Sequence, residues 1–274
     1  MLNKIAVILP IYKNDNISYI DLAINSILNQ SYKDIYLYIG VDGPIGQDLI
    51  GCLKKYEPKE NIIIQYFSEN RGLAVVLNDL LAKCISHGYE FVARMDADDI
   101  SLPQRLEKQM TYLEEHPEVD VVGGSIEEIN EKGEPRGKII IYPETHEACR
   151  AFFARRNPHA HPAVLFRSSF FKKTGCYYRP EYRQNQDTML WFDGLKNDVK
   201  MANIPDVVLK FRMTESLFKK RRNGWAFARK QLQDRLMINR ELGYGLDAYL
   251  FAYAMFLMLV SPAWIKKIAY KVFR

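Results

Sequence analysis

Three carboxylates, Asp96, Asp98 and Asp99, close the stretch Glu90-Phe91-Val92-Ala93-Arg94-Met95-Asp96-Ala97-Asp98-Asp99. An apolar run of strand length feeds straight into them. Leu102-Pro103-Gln104-Arg105-Leu106 then opens a helix, with Pro103 suited to its first turn. Acids crowded at a strand end repel one another unless a cation neutralises them, and hard divalent ions are held by one or two carboxylates plus substrate phosphates. In open α/β sheets, ligands bind just beyond the carboxyl ends of the strands, where this cluster falls. The competing reading is a helix N-terminus decorated with acids, one of them capping. It accounts for Asp99 and Asp98, but hardly for Asp96.

The elements that must position these acids can be read from apolar periodicity. Ile5–Leu9 is a buried-strand run ended by Pro10, and Ser18-x-x-Asp21 is a capping-box-like helix start. Ile35–Val41 is a second strand, ending in Asp42-Gly43-Pro44, a turn signal. A helix over Asp48–Tyr56, a strand over Ile62–Phe67 and a helix over Gly72–Ser86 follow, before the strand that leads into the acids. This β-α-β-α-β-α-β alternation predicts an α/β, doubly wound, mainly parallel sheet. Further along, we expect a helix over Pro103–His116 and a strand over Val119–Gly124. A hairpin of Ser125–Asn130 with Lys138–Tyr142 comes next, then a helix over Glu144–Arg155 and a strand over Ala163–Arg167. A helix opening at Asp187 and a strand over Val207–Met213 complete the domain. Two long helices remain, about Gly224–Glu241 and Ala248–Val272.

Parallel strands align their carboxyl ends, so Pro10-Ile11-Tyr12, Asp42, Asn70-Arg71-Gly72 and the Asp96–Asp99 cluster should converge on one rim. That set suits a nucleoside diphosphate. It offers an aromatic for stacking, a lone carboxylate to accept from a base N–H, an arginine for phosphate, and metal-binding acids. Each residue also has an ordinary reading: Asp42 as a turn residue, Arg71 as a surface cation, Tyr12 as a rim aromatic.

The ordered motifs Val7-Ile8-Leu9-Pro10-Ile11-Tyr12, Val41-Asp42-Gly43, Glu69-Asn70-Arg71-Gly72 with Asn78, and Met95-Asp96-Ala97-Asp98-Asp99 resemble those of glycosyltransferase family 2. The resemblance covers about residues 1–215. It implies an inverting enzyme of the GT-A fold, a Rossmann-like sheet with helices on both faces. Tyr12 and Asp42 would hold a uracil-type base, with Pro10 and Asn70 in the same nucleotide-binding motifs, and Arg71 would contact the nucleotide. Asp96 would lie by the ribose or the metal, and Asp98 would coordinate Mn2+ or Mg2+. The role of Asp99 stays open.

In the second half, Arg183-Gln184-Asn185-Gln186-Asp187-Thr188-Met189-Leu190-Trp191 resembles the family's Glu-Asp motif before a Leu-Trp helix, with Gln186 where Glu is commoner. The resemblance makes Asp187 the catalytic base and puts Gln186 and Trp191 toward substrate; alone, Asp187 would read as a helix N-cap. Asn157-Pro158-His159-Ala160-His161-Pro162 has two histidines but no matching ligand pair for zinc. His161 is either a substrate contact or a loop histidine held by backbone hydrogen bonds. Arg212 and Lys219-Lys220-Arg221-Arg222 stand where the family carries a mobile loop over the donor, so that one cation would pair with the diphosphate.

The chain has 274 residues, 48% of them hydrophobic and 26% charged, an ordinary globular composition with a formal charge of +5. Ten Lys/Arg residues against Glu215 and Asp234 lie between Lys210 and Arg240. No stacking platform or groove-reading motif accompanies them, which argues against a nucleic-acid partner. Ala248–Ile265 is apolar nearly all round but short for a span and broken by Ser261-Pro262; Trp264 and Lys266-Lys267 would anchor it at an interface. We expect residues 216–274 to form helices lying on or dipping into a membrane, with a helix buried in a homodimer as the alternative. The N-terminus runs directly into a strand with no signal peptide, and Cys52, Cys84, Cys149 and Cys176 form no C-x-x-C pair. The expectation is reduced thiols and a peripheral protein on the cytoplasmic membrane face. Its donor would be a nucleotide sugar, of the UDP type, and its acceptor a saccharide on a polyprenyl-diphosphate lipid. A sugar nucleotidyltransferase would open with a glycine-rich phosphate loop instead of Leu9-Pro10-Ile11-Tyr12. A catalytically dead scaffold of the same fold would not need both Asp98 and Asp187.

Overall fold

The computed structural model describes residues 3–175, 177–214 and 225–261. The chain divides into two compact units, the first of residues 1–149 and 157–212, the second of 150–156 and 213–274.

The first unit is built on strands β1 (Ile5–Tyr12), β2 (Ile35–Asp42), β3 (Ile62–Tyr66) and β4 (Phe91–Arg94). Helices α1 (Ile17–Leu28), α2 (Gln47–Lys54) and α3 (Leu73–Ser86) connect them. All three pairings among these strands are parallel, in the order β3-β2-β1-β4. β1 is buried over its first seven residues, as a central strand covered on both faces must be. Ile5, Val7, Leu9 and Ile11 point to the layer of Ile20, Ile24 and Ile27 of α1. On the other face α3 comes so close to β2 that a Cβ on Gly40 would stand 2.6 Å from Val76 Cγ1.

Beyond β4 the sheet becomes mixed. β5 (Ile100–Ser101), α4 (Arg105–Glu115), β6 (Val121–Ile129), β7 (Pro135–Ile140), α5 (His146–Phe153), β8 (Leu165–Arg167), α6 (Ser169–Thr174), α7 (Gln186–Lys196) and β9 (Met201–Arg212) follow. β8 lies antiparallel between β4 and β6, β6 pairs in parallel with β9, and β5 runs antiparallel to the end of β9. One side of β6 is shared, with Val121 and Val122 on β8 and Ile126–Ile129 on β7.

Several boundaries differ from expectation. β1 runs through Pro10 to Tyr12, because only Ile5–Ile8 are paired with β4 and β2 carries the rest. The cap of α1 is Asn16, whose side chain accepts from the Ser18 N–H, while Asp21 is engaged with Lys55 and Tyr56. Pro103 precedes α4, and its carbonyl accepts from the Ser31 N–H. The Val119–Gly124 strand and the first hairpin arm are one strand, β6, and β9 starts six residues earlier than expected, at Met201. β5 and α6 are too short to show a period.

The second unit contains α8 (Trp225–Glu241) and α9 (Leu246–Val260). The Trp225 and Phe256 rings meet edge-on at 5.9 Å, and Tyr244 donates its hydroxyl to the Arg150 carbonyl. α9 has no charged residue after Asp247, and Leu246, Leu250, Tyr253, Met255 and Leu257 are exposed. Among the described residues, no helix is long and apolar enough to cross a membrane. The Lys219–Arg222 cluster, Trp264 and the final basic residues lie outside the described residues, as does Cys176. Cys52, Cys84 and Cys149 are free and buried.

Candidate active site

The carboxyl ends of β1 and β2 bring Tyr12 and Asp42 together as register partners, with Pro10 opposite Gly40. Tyr12 is exposed at the rim. Asp42 is buried and gathers the loop before α3: Oδ1 accepts from the Arg71 N–H at 2.7 Å, and Oδ2 from the Gly72 N–H and Asn70 Nδ2, both at 3.0 Å. A charged acceptor satisfies donors at a helix start that would otherwise need water. The turn after Asp42 needs Gly43, at φ +84°, since a Cβ there would stand 2.6 Å from Asn70 N. Arg71 is half-buried; its guanidinium pairs with Asp79 and lies over the Phe67 ring at 4.3 Å.

The acid cluster follows β4 on the same rim. Asp96, Asp98 and Asp99 each offer one carboxylate oxygen, and these atoms lie within 4.8 Å of one another. Burial and the neighbouring Asp96 charge push the Asp98 carboxyl up to about 6. Asp99 is fully buried and raised well above the carboxylate range by burial, then by Asp98 and Asp96. Its Oδ1 accepts from the Arg212 N–H, and its Oδ2 is buried without a partner. Three converging carboxylate oxygens that repel one another, with a buried Asp99 oxygen left without a partner, are a donor set that fits a hard divalent cation.

Beneath the cluster lies Arg94, the last residue of β4 and 1% exposed. It is ion-paired to Asp96, and its Nε and Nη1 are buried without partners. Its charge favours ionisation of Asp98, Asp99 and Asp187, and it disfavours a charge on His161. The acid cluster, the expected base and the expected substrate histidine therefore share one buried cation. A charged residue ending an otherwise apolar strand was the signal for Arg94, since a buried charge must be paired.

Asp187 is the second residue of α7, in its first turn, and the cap residue Asn185 stands in the left-handed region at φ 61°. Burial pushes its carboxyl up, against the pull of the Thr188 and Asp187 N–H groups, Arg94 and Asn157. Asn157 Nδ2 donates to Asp187 Oδ2 at 2.9 Å. The adjoining Gln186 has a buried Oε1 without a partner. Tyr178 hydrogen-bonds His161 Nε2 at 2.7 Å, and its backbone N–H and carbonyl are matched by the Asn78 amide, both at 2.8 Å. Burial, then Arg94, keeps His161 neutral, well below the usual histidine range. Asn157, Tyr178 and Arg94 were not singled out from sequence.

Two further expected substrate residues, Trp191 and Arg212, are buried. Trp191 is fully buried, stacked on Phe166 at 6.0 Å and packed against His159 and His161. It backs His161 from the core side, because α7 turns this side of its first turns inward. Arg212 is 1% exposed at the end of β9. Its Nε donates to the Asp98 carbonyl and its Nη1 to the Asn130 and Glu131 carbonyls, with the guanidinium over Tyr19 at 4.1 Å. Through the Asp98 carbonyl it is tied to the acid loop, at the end of β9.

A family model described as "Glycosyl transferase family 2" matches residues 6–173. The chain is 33% identical, over 78% of its length and 81% of the relative's, to the O-antigen biosynthesis glycosyltransferase WbnJ of Escherichia coli. It is 26% identical, over 84% of its length and 81% of the relative's, to an E. coli UDP-Gal:alpha-D-GlcNAc-diphosphoundecaprenol beta-1,3-galactosyltransferase. Among solved structures, residues 1–349 of S. aureus TarS in complex with UDP-GlcNAc align with a TM-score of 0.67 at 16% identity, covering 94% of this chain and 82% of that one. The chain spans 43% of the longer TarS chain. Rim, acids and sheet order thus meet an independent match over more than half the length, and the chain belongs to glycosyltransferase family 2.

Proposed function

We propose that this glycosyltransferase moves a single hexose, with inversion, from a UDP-sugar to a saccharide on a polyprenyl-diphosphate lipid in cell-surface polysaccharide synthesis. The observation that carries the reading is the buried cation Arg94, which serves the Asp96–Asp99 cluster and Asp187 at once. The donor and lipid-linked acceptor are suggested by the named activity of the galactosyltransferase relative.

Tyr12 and Asp42 hold the base, within the motifs that contain Pro10 and Asn70, and Arg71 lies toward the nucleotide. Asp98, with Asp96, would hold Mn2+ or Mg2+, which when bound supplies positive charge to the diphosphate. Asp187 takes the proton of the acceptor hydroxyl as that oxygen bonds to the anomeric carbon. The bond from that carbon to the diphosphate breaks, and its electron pair leaves on the diphosphate oxygen. His161, neutral and tied to Tyr178, lines the sugar side as a hydrogen-bonding group, with Gln186 beside the base. Arg212 acts through the backbone of the acid loop.

The exposed apolar residues of α9 and of Trp225, 70% exposed, support peripheral association with the cytoplasmic membrane face. The test is transfer from UDP-galactose, UDP-glucose or UDP-N-acetylglucosamine with Mn2+ to a synthetic GlcNAc-diphospholipid, followed by NMR of the product. One UDP-sugar giving a β-linked product from its α-linked donor is the expected result. Transfer from dTDP- or GDP-sugars alone, or with retention, would overturn the reading.

A further inference from the structure

A base that must accept a proton from a hydroxyl arriving in line needs its carboxyl plane fixed before the substrate binds. Asp187 is the first acid of α7, and a helix start by itself leaves such a side chain free to rotate toward solvent. The structure supplies a restraint from outside the helix. Asn157 lies 30 residues earlier, in the segment leading to the turn at His161–Ala163, and its Nδ2 donates to Asp187 Oδ2 at 2.9 Å. The Thr188 hydroxyl donates to Asn157 Oδ1 at 3.0 Å.

The two bonds define the amide's direction. An amide oxygen only accepts, so Oδ1 belongs with the Thr188 hydroxyl and Nδ2 with the carboxylate. Turned over, the amide would present oxygen to a carboxylate. The charged groups around Asp187 come from several elements. Arg94 from β4 and the N–H groups of α7 favour its ionisation, and the Tyr142 and Tyr178 hydroxyls, pushed up first by burial, are raised further by its charge. Among these, Asn157 is the side chain that hydrogen-bonds a specific carboxyl oxygen.

We propose that Asn157 is the positioning residue of Asp187, clamping Oδ2 so that proton acceptance falls to Oδ1, with Thr188 holding the clamp in its working direction. The proposal rests on the reading of Asp187 as the base, and its test separates the two. The protein is labelled with [13Cγ]aspartate, and the resonance missing from Asp187→Asn is titrated in the wild type, Asn157→Ala, Asn157→Asp and Thr188→Val. Loss of a hydrogen bond to a charged acceptor predicts a midpoint about one pH unit higher in Asn157→Ala. Thr188→Val should show a smaller rise. Asn157→Asp, which keeps the side chain's volume and puts a second carboxylate beside the first, should show the largest.

With UDP-galactose, Mn2+ and the GlcNAc-diphospholipid, the acidic limb of kcat/KM should rise with the same order, at unchanged donor KM. An unmoved Asp187 midpoint in all three folded variants overturns the positioning role. If instead Asp187→Asn releases UDP at the wild-type rate, the base assignment falls, and the proposal falls with it. A uniform loss of kcat with no movement of either profile would make Asn157 structural only and also overturn the proposal.

Discussion

Arg94 and Asp96 form an ion pair in which the cation is 1% exposed and two of its three nitrogens have no other partner. A buried guanidinium left so incompletely satisfied is costly, and its charge offsets that of Asp96, Asp98, Asp99 and Asp187 nearby. Replacing it by Met removes that cost, but it also leaves Asp96, Asp98 and Asp99 crowded with less compensation. We expect Arg94→Met to lower stability by roughly 2–4 kcal/mol in urea unfolding, and added Mn2+ to restore part of it. Unchanged stability with unchanged Mn2+ response would contradict this role.

Asp42 closes the loop before α3 through two backbone N–H groups and the Asn70 amide. Asp42→Ala strands these donors, and a loss of about 2–4 kcal/mol follows from the cost of unmet hydrogen bonds to a charged acceptor. UDP affinity should fall together with stability. Thermal unfolding alongside UDP titration checks this, and a stable variant that lost only UDP binding would show that Asp42 serves the base and not the loop.

Trp191 separates packing from contact. Trp191→Phe keeps an aromatic against Phe166 and removes an indole N–H that has no hydrogen-bond partner. It should cost about 1–2 kcal/mol of stability and leave the donor and acceptor KM values unchanged. A KM that rises more than tenfold at native stability would instead support the expected substrate contact.

His159 is buried beside Asn203, with Nδ1 at 2.8 Å from Asn203 Oδ1, and burial lowers its pKa to about 4. The unfolded chain takes up a proton near 6.5 and the folded chain resists until about 4, so stability falls as pH drops through that window. The full effect is roughly 3 kcal/mol at the acid end. His159→Asn should flatten this part of the stability-pH curve relative to wild type. Parallel curves would show that His159 takes up its proton equally readily in the folded and unfolded chain, against this account.

The parts that sequence shows clearly are those with local signatures. β1 to β4 are continuous apolar runs, and Tyr12, Asp42 and Asp96–Asp99 follow strand ends, so parallel pairing was enough to gather them on one rim. The parts it hides depend on pairs distant in the chain. Nothing in Asn157-Pro158-His159 announces a bond to Asp187, and only the fold shows that Arg212 reaches the Asp98 and Asn130 carbonyls. β5 is two residues long and gains its pairing from β9, so no periodicity could reveal it. The burial of Trp191 was not legible either, because an aromatic at the sixth position of α7 looks the same in sequence whether it faces a cleft or the core.

The most direct test is calorimetric titration of UDP, dTDP and GDP into the wild type and Asp98→Asn, with and without Mn2+. The account predicts Mn2+-dependent binding of UDP in the wild type, weakened at least tenfold in a folded Asp98→Asn. Equal UDP binding with and without Mn2+, or undiminished binding by Asp98→Asn, would contradict a metal-bridged diphosphate held by the acids that follow β4.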